Sequence, residues 1–225
     1  MILLTRLPCP EPLASNADKW TKEFIAKRQI DKKERPQKKR YAHNQIIDQL
    51  AAMSSQKCFY CECKLIFDTN TQGYGGEETV DHYIEVCVNP SKAYEWCNLY
   101  LCCRGCQNKI RENSLSVSEC LDPCGTSDPS DHLIFDDEII RSRNNSTKGI
   151  ATIKKYKLNR ENLAYKRLKQ LNEFGKLLYE IYNRQIKEQR QTMIKEELEA
   201  LHSFAQPDHA YSLMFRWRLK NFKDI

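Results

Sequence analysis

The chain has 225 residues, enough for one fair-sized core with helical extensions. Its 29% charged residues and mean hydropathy of −0.70 argue against membrane spans and a membrane partner. Lys and Arg outnumber Asp and Glu by 36 to 30, a net +6 that permits a polyanionic partner without requiring one.

Residues 1–56 read as a basic, mainly helical arm. Its opening, Met1 to Pro10, is too short and too interrupted for a signal peptide or an anchor, which points to the cytoplasm. Eleven cysteines in such a chain, an odd number, read as metal ligands and buried thiols rather than disulfides. Trp20, Phe24, Ile25 and Ala26 begin an apolar stripe that Ile46, Ile47, Leu50 and Met53 resume. Between the two lies a charged stretch, Lys27 to Arg40, broken by Pro36. A solvated connector explains it, and so does contact with a nucleic-acid backbone, with Lys38, Lys39 and Arg40 as candidates.

Residues 57–157 hold the motifs and a loop-rich extension. Cys58-Phe-Tyr-Cys61 and Cys103-Arg-Gly-Cys106 are two C-x-x-C pairs about forty residues apart, and together they can complete one closed, structural zinc site. Cys63 and Cys102 lie close enough to compete as ligands, whereas Cys9, Cys87, Cys97, Cys120 and Cys124 read as buried small hydrophobes. Thr71 to Gly76 is a glycine-rich turn without the Gly-Lys-Ser/Thr of a phosphate-binding loop. Thr79 to Ile84 and Asn98 to Cys102 read as strands, and a helix can start at Gln107. Framed by the cysteines, Asp81-His82 supplies residue types suited to phosphodiester hydrolysis: an imidazole base for water and a hard-oxygen ligand for Mg²⁺. Adjacent strand residues face opposite ways, so the two share a task only if the backbone turns there. A second pair, Asp131-His132, lies outside the cysteine frame and reads as structural. Lys109 and Arg111, after the second pair, are further candidates for contact with a nucleic-acid backbone.

Short strands are expected at Leu133 to Phe135 and Ile150 to Ile153. Residues 158–225 read as a helical segment. Asn159 looks like the N-cap of a long helix with Ala164, Leu168, Leu171, Phe174, Leu178 and Ile181 on one face. Ile194, Leu198 and Leu201 suggest another helix, and an aromatic, basic tail from Tyr211 to Leu219 either packs or covers a partner.

The central residues resemble the HNH endonuclease family. That resemblance implies an α+β fold: a zinc-stapled ββα-metal core embedded in helical N- and C-terminal segments. It implies a metal ligand at Asp81, a general base at His82 and a loop-orienting asparagine at Asn98. The last metal ligand, for Mg²⁺ or Mn²⁺, falls on Asn108 by family precedent or on Gln107 by register. Glu85 stands where the family often has proline, as an extra ligand or a solvated strand residue.

Ala93-Tyr-Glu-Trp-Cys-Asn-Leu99, Cys120-Leu-Asp-Pro123, Asp131-His-Leu-Ile-Phe135, Thr152-Ile153 and Lys157-Leu-Asn-Arg160 are similar to the HNH subunit of Septu-type antiphage systems, some of them retron-associated. This implies a DNA or RNA substrate and an ABC/SMC-like ATPase partner. In retron versions it also implies a reverse transcriptase with its RNA–DNA product. The rival expectation is a non-catalytic zinc module that binds nucleic acid or scaffolds a partner, which has no use for Asp81-His82 followed by an amide.

Overall fold

The computed structural model describes residues 1–66 and 78–220, so the glycine-rich turn at 71–76 lies outside the described residues. Helix α1 (Glu11–Ile30) starts behind Pro10, carries Glu11 in its first turn and Lys27 and Arg28 in its last, and so matches the helix dipole at both ends. It buries Leu13 and Phe24. After the break at Pro36 come the single turn α2 (Lys38–Tyr41) and α3 (Asn44–Ser54), which buries Ile46, Ile47 and Leu50.

Two small antiparallel sheets follow. Strand β1 (Glu78–His82) pairs with β2 (Leu99–Cys103), His82 opposite Leu99 and Asp81 opposite Tyr100. Helix α4 (Arg104–Gln107) leaves β2 directly. The expected helix start at Gln107 is therefore a helix end: Asn108 is the C-cap, and Ile110 N–H donates to the Lys155 carbonyl at 2.9 Å, turning the chain away. Strands β3 (Leu133–Asp136) and β4 (Ile139–Ser142) form the second hairpin.

The strand expected at Ile150 to Ile153 is part of a helix, α5 (Thr147–Lys155). The Ser146 hydroxyl accepts from Gly149 N–H at 3.1 Å, an N-cap that outweighs the β-branched residues behind it. A Cβ at Gly149 would collide with the His132 carbonyl, so α5 lies against the second hairpin only with glycine there.

The long helix, α6 (Glu161–Lys187), starts after Arg160 instead of Asn159. The Asn159 amide is engaged elsewhere: it accepts from Ile140 N–H at 2.9 Å and donates to Ile140 O at 2.8 Å. Its buried stripe is Leu163, Arg167, Phe174 and Ile181, while Leu168 is 39% exposed on the outer face. Helices α7 (Lys195–Ser203) and α8 (Ser212–Lys220) close the chain, with Ile194 as N-cap of α7.

The tail packs. Phe215 is fully buried, its ring centroid 5.4 Å from that of Phe174 and 5.0 Å from that of Phe204. Buried Glu62 joins α8 to the first cysteine turn: it accepts from Ser212 at 2.6 Å and pairs with Lys57 at 3.4 Å and the Met1 ammonium at 2.6 Å. Burial works against that carboxylate, but the two cations hold it down at about 2. One hydrophobic core runs from Met1 through Phe215 and joins arm, hairpins and C-terminal helices. Among the described residues, no helix is long and apolar enough to cross a membrane.

Candidate functional site

The two cysteine pairs converge. The sulfurs of Cys58, Cys61, Cys103 and Cys106 lie within 4.8 Å of one another, all in buried residues. A tight turn presents the first pair: Cys58 N–H donates to Cys63 O, Glu62 N–H to Cys58 O, and Phe59 N–H to Leu101 O on β2, each at 2.9 Å. The second pair brackets the start of α4, with Cys103 as N-cap.

A tetrahedral zinc with bonds of about 2.3 Å sets its sulfurs about 3.8 Å apart, and Cys61 Sγ lies 3.8 Å from Cys103 Sγ. The cluster could hold a structural metal ion such as zinc. Hydrogen bonding with Cys106 pulls the Cys103 thiol down to about 4, and bonding with Cys103 pulls Cys61 well below its usual value. Burial pushes Cys58 and Cys106 up, so proton release there is linked to metal capture.

Arg160 covers the cluster, its guanidinium 3.5 Å from Cys106 Sγ and 3.4 Å from Cys103 Sγ. Of the rival ligands, Cys63 Sγ lies 3.4 Å from Cys61 Sγ at the cluster's edge, and buried Cys102 is outside it. Contrary to expectation, Cys9, Cys87 and Cys97 are exposed; Cys120 is buried and Cys124 half-buried.

Beside the cluster opens a cleft of about 880 Å³ whose walls include Asp81, His82, Glu85, Gln107 and Asn108. Both members of the Asp-His pair reach it because β1 ends at His82 and the chain turns away at once. Asn98 makes that turn. Its Oδ1 accepts from Ile84 N–H at 2.7 Å, and its Nδ2 donates to Ile84 O at 3.0 Å and Lys92 O at 2.9 Å.

Nε2 of His82 lies 2.9 Å from the Ala93 carbonyl oxygen. A carbonyl only accepts, so Nε2 carries the proton and neutral His82 keeps its lone pair on Nδ1. Burial lowers the His82 pKa from its ordinary value, with the Ala93 carbonyl and Asp81 pulling the other way. The Tyr41 ring packs edge-on against the imidazole at 4.7 Å.

Asp81 Oδ2 accepts from the Tyr60 hydroxyl at 2.8 Å and from Lys109 Nζ at 2.6 Å. Lys109 also donates to His82 O at 2.7 Å and Tyr83 O at 3.3 Å. Glu85 lines the cleft but accepts from Glu112 N–H at 3.0 Å. The cleft lining thus includes the Asp81 and Glu85 carboxylates and the Gln107 and Asn108 amides, oxygen donors of the kind hard cations take, with the His82 imidazole among them.

The lining is also strongly basic: Arg28, Lys32, Lys33, Arg35 and Lys38 come from the end of α1 through the start of α2, and Arg111 joins them. Lys39 and Arg40 are not among the lining residues. Arg40 pairs with Glu23 at 2.7 Å and lies over Trp20. Asp131 and His132 are also apart from the cleft: His132 Nδ1 lies 2.7 Å from Ser146 Oγ, and Asp131 is 3.9 Å from Arg143.

Sequence reasoning missed Tyr41, Tyr60, the Ala93 carbonyl and Arg160. Of these, only Tyr60 had a local signal, lying inside the first C-x-x-C pair. Compared with known proteins, the chain matches no protein-family model and no curated protein.

Proposed function

We propose that this chain is a metal-dependent endonuclease of the HNH type, with DNA or RNA as its substrate. The observation that carries the reading is the state of His82. Its Nε2 is committed to the Ala93 carbonyl while the ring lines a basic cleft, which leaves Nδ1 as an oriented base beside Asp81. The antiparallel β1–β2 pair followed by α4, clamped by four cysteines, supports the same reading.

In the reaction, His82 Nδ1 takes a proton from the attacking water as its oxygen bonds to phosphorus, and the bond from phosphorus to the leaving oxygen breaks. Asn98 fixes the backbone after His82 and so holds the imidazole in place. A bound Mg²⁺ or Mn²⁺, held by Asp81 with Asn108 or Gln107, would supply positive charge to the phosphate and the leaving oxygen. The basic lining binds the polyanionic backbone by displacing its condensed counterions.

The resemblance extends the proposal to an effector subunit of a bacterial antiphage complex with an ABC/SMC-like ATPase and, in retron versions, a reverse transcriptase with its RNA–DNA product. One feature supports assembly with another subunit. Tyr165, Leu168, Tyr179, Tyr182 and Ile186 lie on one heptad-spaced face of α6, each 39–67% exposed. The buried tail at Phe215 does not supply such a surface.

The test is incubation of the zinc-loaded protein with labelled DNA and RNA in Mg²⁺ or Mn²⁺, with brief EDTA as control. Hydrolysis of either substrate that EDTA stops is expected. No hydrolysis of either, alone or with the ATPase, would leave the non-catalytic zinc module as the better description.

A further inference from the structure

The metal-ligand candidate Asp81 already has a cation. Lys109 Nζ sits 2.6 Å from its Oδ2, and the Lys109 side chain is only 5% exposed. The other two contacts of that ammonium, with the His82 and Tyr83 carbonyls, place it across the end of β1, at the residues the nuclease reading depends on. Lys109, the residue after Asn108, thus directs all three of its donors at one short stretch of chain, residues 81–83.

A divalent cation on Asp81 would share a carboxylate with this ammonium in a poorly solvated place, where like charges repel far more than in water. We propose that Lys109 is a positioning residue that competes with the divalent cation for Asp81: it holds the carboxylate in the resting site and must leave it when the metal binds. This rests on the metal-dependent reading above. It adds that metal affinity is set by displacement of an internal cation, so the resting protein binds the metal weakly.

Lys109 lines the basic cleft, so an ammonium released from Asp81 stays among the groups available to a phosphate. In its absence Asp81 becomes a buried carboxylate without a counter-ion, a state that a divalent cation relieves. Removal of the lysine charge should therefore strengthen metal binding, whereas an ordinary structural ion pair would leave metal binding unchanged or weaken it.

The experiment is Mn²⁺ titration of the zinc-loaded full chain, read by the electron paramagnetic resonance of free Mn²⁺. It is run on wild type, Lys109→Met, Lys109→Arg and Asp81→Asn. Lys109→Met should bind Mn²⁺ more tightly by about tenfold or more, Lys109→Arg should stay near wild type, and Asp81→Asn should abolish the site. Equal Mn²⁺ affinity in wild type and Lys109→Met, lost in Asp81→Asn, overturns the competition and leaves the nuclease reading standing. Mn²⁺ binding that Asp81→Asn does not change, or no binding in any variant, overturns both.

Amine labelling of the wild type followed by mass spectrometry decides independently of whether Lys109→Met folds. Saturating Mn²⁺ should raise Lys109 labelling several-fold, and no rise overturns the competition.

Discussion

The two hairpins of this protein are built from the same parts and differ in what surrounds them. Each holds an Asp-His pair near a strand end: Asp81-His82 closes β1, and Asp131-His132 precedes β3. Each also has an asparagine side chain that grips one backbone residue by both N–H and C=O, Asn98 on Ile84 and Asn159 on Ile140. The first hairpin is stapled by four cysteines and opens on a basic cleft. The second lies under α5, and His132 spends Nδ1 on the Ser146 hydroxyl. The chemistry of an Asp-His pair therefore depends on where its free ring nitrogen and carboxylate are directed, and the dipeptide alone does not decide it.

The cysteine staple offers the largest way to break the comparison. Cys58→Ser should lose one zinc equivalent and unfold the first hairpin's surroundings, since structural zinc contributes roughly 10–16 kcal/mol in small sites, comparable to a whole domain's stability. Elemental analysis and circular dichroism would measure this. Cys102→Ser, outside the cluster, should retain its zinc. A folded, zinc-free Cys58→Ser protein would contradict the staple.

The asparagines give the next effect. Asn98→Ala removes three hydrogen bonds to buried or half-buried backbone and should cost about 3 kcal/mol, along with cleavage. Asn159→Ala removes two and should cost about 2 kcal/mol with cleavage retained in the folded protein. Denaturant melts beside cleavage rates would show whether only one of the two is tied to function.

Smaller effects follow from charge. Arg35→Ala and Lys38→Ala, on the cleft wall, should each lower the salt dependence of nucleic-acid binding by about one unit of log–log slope. Arg40→Ala should change it less, because Arg40 is held by Glu23. The pH profile is the finest test. Water activation needs neutral His82, so the rate falls as pH drops through its pKa. Burial depresses that pKa, so the acid limb should lie below 6.5, and a limb at or above 6.5 would contradict a buried base.

What is encoded by spacing was legible in the sequence. Two C-x-x-C pairs named the cluster, apolar periodicity named α1, α3 and α6, and β-branched or aromatic runs named β1, β2 and β3. Positions where one polar side chain overrides propensity were not legible: Ser146 caps α5 through residues that look like a strand, and Asn159 clamps β4 instead of capping α6. Leu168 looks like a core residue in the sequence but is exposed, because α6 is apolar on two sides. Most of the site's supporting groups were hidden because they act across long separations. The Ala93 carbonyl on His82 and Arg160 over the cysteines are contacts that no local pattern encodes, and Tyr60, marked only by its place inside the first C-x-x-C pair, meets Asp81 across 21 residues.

The most direct measurement is the single-turnover cleavage rate of His82→Ala beside His132→Ala, both zinc-loaded and folded, on whichever nucleic acid the wild type cuts. The account predicts that His82→Ala loses about 10²–10⁴ in rate while His132→Ala keeps the wild-type rate. Equal losses in the two variants, or wild-type cleavage by His82→Ala, would contradict it.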